Sequence, residues 1–402
     1  VAASLWPTIV ALAARLNAAG VAYEFVGSTA LFIQGVAVQG VDVPDLNELE
    51  AAVQWDGFET VHNSFSPDGA GPVTRTRERA WFTCAVHGVP VRLECVYNTV
   101  IATDPHRVRV ERDGHELWAK SVLDIRRHAA PGDPRTAWID AHLREAQAFL
   151  SRHNQEAWSQ NSYDAWVERH GGPAEAAARI AADPAARLAP LGRHLGELRG
   201  VKVANLLGSH GAKAVAMALL GADVTVVDIS PANAAYATAL AAAAGVPVRY
   251  VVADVLSLPA AELTGDYGLV LMELGVLHYF VDLAPLADTV ARLLRPGGRL
   301  VLHDFHPVST KLITSTGKKH KVTGNYFDAT LAGVDVAYTK YLPGQKPAGL
   351  KQALQRRWTL GEIVTAVAGA GLFIRTLDEE PNHKLDDLGI PKTFTLVAER
   401  PQ

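Results

Sequence analysis

The stretch VANLLGSHGAKAVAMALLGADVTVVDIS, Val203–Ser230, reads as a buried strand, a glycine turn, a helix and a second strand ending on an acid. The two apolar runs are too short for helices, and the Ala-rich segment between them is a good helix former. A strand, a helix and a second strand make a βαβ unit, so the strands run parallel and both faces of their sheet are covered. Gly208 and Gly211 let the backbone come close to a ligand, and the helix that follows offers free N–H groups. Asp228 stands at the tip of the next strand, about twenty residues on, where a carboxylate can accept from both hydroxyls of a ribose.

Downstream the alternation continues through VRYVVADV, YGLVLMEL and RLVLHDF, separated by the helical segments PANAAYATALAAAAG and LAPLADTVARLL. The end differs in kind. TLGEIVTAVAGAGL opens with a capping box, Thr359 with Glu362, and stops at Gly371. FIRTLDEEP and KTFTLVAERP then read as an antiparallel pair closing the sheet. Upstream, NQEAWSQNSYDAWVERHG is an aromatic helix, followed by an Ala/Arg-rich connector broken at Pro184 and Pro190. Residues 1–150 alternate helix and strand in an α+β pattern, with WFTCAVHGVPVRLECVYN a hairpin turning at His87-Gly88. The expected division is an α+β domain at 1–150, a helical connector and lid at 151–200, and an α/β domain at 201–402.

In an open α/β sheet, ligands bind outside the carboxyl ends of the strands. Besides the glycine turn and Asp228, those ends carry Asp254, placed to accept from an adenine amino group beside the Val255 backbone, and Glu273 and His278 in ELGVLHYF. With these features in order, the chain from about Asn154 resembles the class I S-adenosylmethionine-dependent methyltransferases. The resemblance implies a Rossmann-like sheet of seven strands with an antiparallel last strand, and S-adenosyl-L-methionine as cofactor. It implies that Gly208, Ser209, His210 and Gly211 cradle the methionine part, and that Asp228, with Ile229 beside it, holds the ribose. Asp254 and Val255 would take the adenine, Glu273 and Leu274 would border the reacting end, and Tyr163 and Trp166 would cover the cofactor as a lid. Asn205 stands where many such enzymes have a carboxylate, and GSHG departs from their usual glycine spacing.

Methyl transfer from a sulfonium is an in-line displacement, so the protein aligns the nucleophile and, for a hydroxyl acceptor, helps remove a proton. The candidates are His278 after the fourth strand, and His303, Asp304 and His306 in LHDFHP after the fifth. Their spacing is not that of a closed metal site, so no metal is expected. A long polar segment near 308–357, with Lys318, Lys319, His320 and Lys321, lies where the family inserts substrate-recognition elements. The expected function is methyl transfer to a nitrogen or oxygen of a small molecule such as a natural product.

The first 150 residues bear a second resemblance. YEFVGSTALFIQG is similar to the opening of the polymerase-beta-type nucleotidyltransferase fold, in which Gly-Ser ends a strand and carboxylates on adjacent strands hold two metal ions. Gly27 and Ser28 match the first feature, and Glu94 matches the third acid. The middle motif departs: Asp42, Asp45, Glu48 and Glu50 stand where a strict Asp-x-Asp is absent, and Pro44 interrupts them. The domain is therefore read as degenerate, serving substrate binding, oligomerisation or scaffolding. The alternative for the whole chain is a bifunctional nucleotidyltransferase and methyltransferase acting on a nucleotide or RNA.

Composition narrows the partners. Of 402 residues, 38 are Lys or Arg and 42 Asp or Glu, for a net charge of -4, which argues against a broad nucleic-acid surface. No apolar run spans a bilayer, and the two cysteines, Cys84 and Cys95, suit a reducing, cytoplasmic compartment with thiols left unbridged. The partner expected is a small molecule, and self-association is allowed.

Overall fold

The computed structural model describes residues 2–38, 41–42, 46–316, 319–342, 349–381 and 389–402. Its compact units divide between Glu145 and Ala146.

In the first unit a mixed sheet of seven strands runs in the order Thr74–Arg75, Arg79–Val86, Val89–Val96, Leu49–Val53, Tyr23–Phe25, His115–Lys120, Arg107–Arg112. The helix Ala2–Ala18 buries Leu5, Ile9, Leu12 and Leu16, a one-face stripe at helical spacing. The expected hairpin forms because His87 and Gly88 both take left-handed backbone, with φ of 50° and 77°, the twist that a two-residue turn needs. Cys84 and Cys95 are buried on the two arms of that hairpin, opposite Val91 and Ala80, so they do not face each other.

The second unit is built on a sheet of strands β1 (Lys202–Leu206), β2 (Asp223–Asp228), β3 (Val248–Val252), β4 (Tyr267–Glu273), β5 (Leu294–Phe305), β6 (Phe373–Pro381) and β7 (Pro391–Glu399). Their order is β3-β2-β1-β4-β5-β7-β6. β1 to β5 pair in parallel, and β7 runs antiparallel to both β5 and β6. The chain winds outward from β1 to β3 and then crosses to β4 on the other side, so the switch point lies between β1 and β4. There adjacent connections leave to opposite faces and open a crevice at the strand tips.

Helices α1 (Pro134–Trp158), α2 (Ser162–His170), α3 (Pro173–Ala182), α4 (Ala212–Leu219), α5 (Pro231–Ala244), α6 (Ala284–Leu293) and α7 (Leu360–Gly369) accompany the sheet. The aromatic segment expected as one helix is two, because Asn161 takes left-handed backbone (φ 53°) between α1 and α2. That break turns Trp158 and Trp166 onto separate helices. The capping box at α7 forms as read, with Thr359 and Glu362 exchanging hydrogen bonds. Between β5 and α7 the chain makes two strand pairs, Ile313–Thr316 with Lys319–Val322 and Leu331–Val334 with Ala353–Arg356.

Candidate active site

A cavity of about 570 Å³ opens at the switch point. Its floor is the turn after β1. Left-handed backbone falls at Leu207 (φ 50°), Ser209 (φ 48°) and Gly211 (φ 73°), so two of the three positions that require it are not glycine. Gly208 serves differently. A Cβ there would meet Asn205 Oδ1 at 2.6 Å and Val226 Cγ1 at 2.7 Å, so the residue is glycine for want of space. Such strain persists only where neighbours over-determine it. Here Tyr250 on β3 donates its hydroxyl to Ser209 O (2.8 Å), and Ser209 N–H donates to Asp228 Oδ2 (3.0 Å).

Asn205 is buried beneath this turn and donates from Nδ2 to Leu271 O on β4 (3.3 Å). A carboxylate could not make that bond, which accounts for the amide at this position. Asp228 also accepts from Ser230 N–H (2.9 Å) and Asn233 Nδ2 (3.2 Å). Burial raises its pKa against the pull of these three donors. A carboxylate offers about four acceptor positions, so room remains for a ribose hydroxyl. Asp254 lines the same cavity beside Val255 and accepts from Leu256 N–H (2.9 Å). Ile229, Glu273 and Leu274 line it too, and Glu273 forms an ion pair with Lys213 from the first turn of α4.

The roof comes from α1 and α2. Trp166 donates to Asn233 Oδ1 (2.8 Å), and Trp158 donates to the Tyr279 hydroxyl (2.9 Å). Both tryptophans line the cavity, whereas Tyr163 stands off it, packed edge-on against Tyr236 at 5.6 Å. The break at Asn161 separates the two tryptophans, and the lid reading of Tyr163 is corrected to Trp158. Gln147 ties α1 to the loop after β4 by donating to Tyr279 O (3.1 Å) and accepting from Val281 N–H (2.9 Å). Gln147, Trp158, Lys213 and Tyr279 escaped the sequence reading. A Lys two residues past Gly211 and a Tyr beside His278 were the available signals.

The chemical candidates separate. Asp304 accepts from Gly275 N–H (2.6 Å), Phe305 N–H (2.7 Å), Val276 N–H (3.4 Å) and Leu277 N–H (3.5 Å). It clamps the loop after β4, and its acceptor capacity is filled. His306 turns away to Glu379 on β6, with Nε2 2.6 Å from Oε1, and accepts from Val308 N–H at Nδ1 (3.1 Å). His303 is buried against Thr395 Oγ1 of β7 (2.9 Å). None of the three lines the cofactor-sized cavity. Anchoring therefore replaces base chemistry for His303 and His306, whose partners come from β7 and β6, whereas Asp304 clamps the loop after β4 and also lines a second cavity. His278 lines that second cavity, of about 200 Å³, together with Asp304, Leu277, Phe305, Trp358 and Phe394. Burial pushes its pKa down to about 3, with the nearby Arg357 adding to the effect, so it is neutral at pH 7.

In the first unit, Glu50 accepts from the Ser28 N–H, and burial raises its pKa. Gly27 passes so close that a Cβ on it would meet Glu50 Oε2 at 2.1 Å. Glu94 lies 3.6 Å from Arg92 Nη2. Among the described residues no cluster of three His, Cys, Asp or Glu could hold a metal ion. Asp45, Pro44, Lys318 and the side chain of Asp42 lie outside the described residues.

Comparison with known proteins agrees with the second unit. Residues 207–302 match a family model described as a methyltransferase domain. The chain is 37% identical over 87 residues to a demethylmenaquinone methyltransferase of Thermus thermophilus, covering 22% of this chain and 38% of that protein. It is 35% identical over 106 residues to a ubiquinone biosynthesis O-methyltransferase of Xanthomonas oryzae, covering 26% and 44%. The chain thus spans about two fifths of the length of these curated relatives. Among solved structures, an S-adenosylmethionine-dependent methyltransferase from Mesorhizobium loti aligns at 22% identity over 54% of this chain and 99% of its own, with a TM-score of 0.42. The glycine turn, Asp228 and Asp254 all fall within the segment that the methyltransferase-domain model matches.

Proposed function

We propose that the chain transfers a methyl group from S-adenosylmethionine to an oxygen or nitrogen of a small molecule. The observation that carries this reading is a pair of cavities lined by consecutive residues of one loop, Gly275 and Val276 in the first and Leu277 and His278 in the second, the first with Asp228, Asp254 and the β1 turn along it, the second holding a neutral histidine. The polar atoms left unsatisfied in the first cavity fit a polar ligand: Ser209 Oγ and both ring nitrogens of His210 are buried without a partner. When bound, the cofactor supplies an electrophilic methyl group. Asp228 would hold the ribose, Asp254 and the Val255 backbone the adenine, and the Trp158 and Trp166 rings would exclude water. The acceptor enters beside His278, between the aromatic walls of Phe305, Trp358 and Phe394. Neutral His278 accepts a hydrogen bond from its hydroxyl or amine and orients the lone pair.

Two named relatives act in quinone biosynthesis, one of them an O-methyltransferase, and this favours a phenolic hydroxyl as acceptor. The first unit we read as a nucleotidyltransferase-like scaffold without catalysis, since Asp42, Asp45, Glu48 and Glu50 stand where a strict Asp-x-Asp is absent and Pro44 interrupts them. The test incubates the whole chain with S-adenosylmethionine and a panel of small phenols and amines, and follows S-adenosylhomocysteine release. Turnover confined to phenols or amines, cut at least tenfold in kcat by His278→Ala, is expected. Turnover on RNA alone would overturn the reading.

A further inference from the structure

Two consecutive arginines follow Gln355, and the structure gives them opposite surroundings. Arg356 ends the strand Ala353–Arg356 and is buried, with Nη2 2.8 Å from Glu362 Oε1 and its guanidinium 3.5 Å from the centre of the Trp358 ring. Its charge is committed to holding α7 against that strand. Arg357 lies just past the strand, exposed, and its guanidinium donates once, to Thr310 O. Among the described residues it makes no ion pair. The carboxylate that feels its charge is Asp328, which accepts instead from Thr330, at 3.0 Å from the N–H and 2.6 Å from Oγ1.

Arg357 lines the second cavity together with His278. The other polar groups there are already engaged. Asp304 accepts from the backbone N–H groups of the loop after β4, Gln355 donates to the Tyr279 hydroxyl, and Thr310 Oγ1 donates to His306 O (3.4 Å). What remains open is a planar cation and an imidazole, in a chamber otherwise walled by Leu277, Phe305, Trp358 and Phe394. The two act on each other, since the Arg357 charge adds to the burial that keeps His278 unprotonated. A second cation, the Lys392 ammonium, stands 5.8 Å from the centre of the Phe305 ring and also makes no ion pair among the described residues. Charge of one sign along a low-dielectric cleft concentrates ligands of the other sign.

These two groups point to the chemistry of the acceptor. A guanidinium presents parallel N–H donors that a planar carboxylate matches, and a neutral imidazole accepts from a hydroxyl. A flat apolar body joining carboxylate to hydroxyl fills the space between the aromatic walls. We propose that the methyl acceptor is an aromatic carboxylic acid bearing a hydroxyl, gripped at its carboxylate by Arg357 and methylated at the hydroxyl beside His278. In transfer the acceptor oxygen bonds the methyl carbon while the S–C bond breaks onto sulfur, and the hydroxyl proton leaves to water along its hydrogen bond to His278. The assignment rests on the methyl-transfer reading above and adds to it the charge of the substrate. Arg357 is a specificity residue here, because it separates an acid from its uncharged ester and repels a protonated amine.

Steady-state kinetics of the whole chain with S-adenosylmethionine test this on matched pairs, hydroxybenzoates and hydroxycinnamates against their methyl esters. The acids should exceed their esters about ten- to a hundredfold in kcat/KM, with the difference lying in KM. Arg357→Gln should bring that ratio to about one, and Arg357→Lys should restore part of it. Titration of each variant with S-adenosylhomocysteine shows that it has folded, since Arg357 lines no part of the cofactor cavity. Wild-type turnover of esters or amines equal to or above that of the acids, or a ratio unmoved in Arg357→Gln, would overturn the assignment and leave the methyl-transfer reading standing. No turnover of any acid, ester or amine by the wild-type chain would overturn both.

Discussion

Ser209 holds left-handed backbone with φ 48° and buries a hydroxyl that has no partner, so Ser209→Gly is expected to stabilise the second unit. Left-handed backbone costs a non-glycine residue roughly 1–2 kcal/mol, which glycine avoids. Removing a buried, unsatisfied hydroxyl returns about 1–3 kcal/mol. Against these, glycine loses about 0.5–1 kcal/mol more conformational freedom on folding. The balance is a gain of roughly 1–4.5 kcal/mol, or about 2–4 °C in Tm for each kcal/mol in a unit of this size. Scanning calorimetry reads it in the transition that S-adenosylhomocysteine raises. The backbone bonds from Ser209 N–H to Asp228 and from Tyr250 to Ser209 O do not need the side chain, so the turn keeps its shape. A lower Tm would refute the reasoning, because it would mean that the hydroxyl or the serine backbone contributes stability that the structure does not show.

Three further outcomes follow from the same site. Asn205→Asp, although it restores the acid common in such enzymes, should cost about 1–3 kcal/mol, since it removes the donor to Leu271 O and buries a carboxylate against that carbonyl; chemical denaturation measures it. Gly211→Ala combines left-handed backbone (φ 73°) with a Cβ placed 2.7 Å from Ala237 Cβ, and should cost at least about 2 kcal/mol and weaken S-adenosylhomocysteine binding in calorimetry. Acid should loosen the second unit below the ordinary histidine range. His210 and His278 both have folded pKa values pushed down to about 3 from 6.5, so the stability they contribute is complete above pH 6.5 and is lost as the pH falls towards 3. Urea melts at pH 8 and pH 5 should differ by about 2 kcal/mol for each histidine, and His210→Gln should remove its share of the difference.

Much of the second unit was legible because its signals are local. Apolar strand runs, amphipathic helices and the capping box at Thr359 each follow from a few adjacent residues, and the strand order follows once the βαβ units and the antiparallel end are recognised. That Asp228 and Asp254 line one cavity was legible for the same reason: Asp228 ends β2, Asp254 follows β3, and strand ends converge. The roles of Asp304, His303 and His306 were not. Alternation tells which side of β5 a residue faces, but the partners that consume it, the Gly275 N–H, Thr395 and Glu379, come from distant parts of the chain. The turn after β1 misled in another way. Its glycines suggested where left-handed backbone would lie, yet that backbone falls at Leu207 and Ser209 as well as Gly211, held there by Tyr250 and Asp228. In the aromatic segment, a single left-handed residue, Asn161, divided one periodic pattern into two helices and exchanged Tyr163 for Trp158 at the cavity.

The most direct test of the central claim is titration calorimetry of the whole chain with S-adenosylhomocysteine, alongside Asp228→Ala. We expect one site per chain in the wild type, and loss of binding in the variant with its fold intact by circular dichroism. Undiminished affinity in Asp228→Ala would contradict the ribose assignment, and no binding by the wild type would contradict the account as a whole.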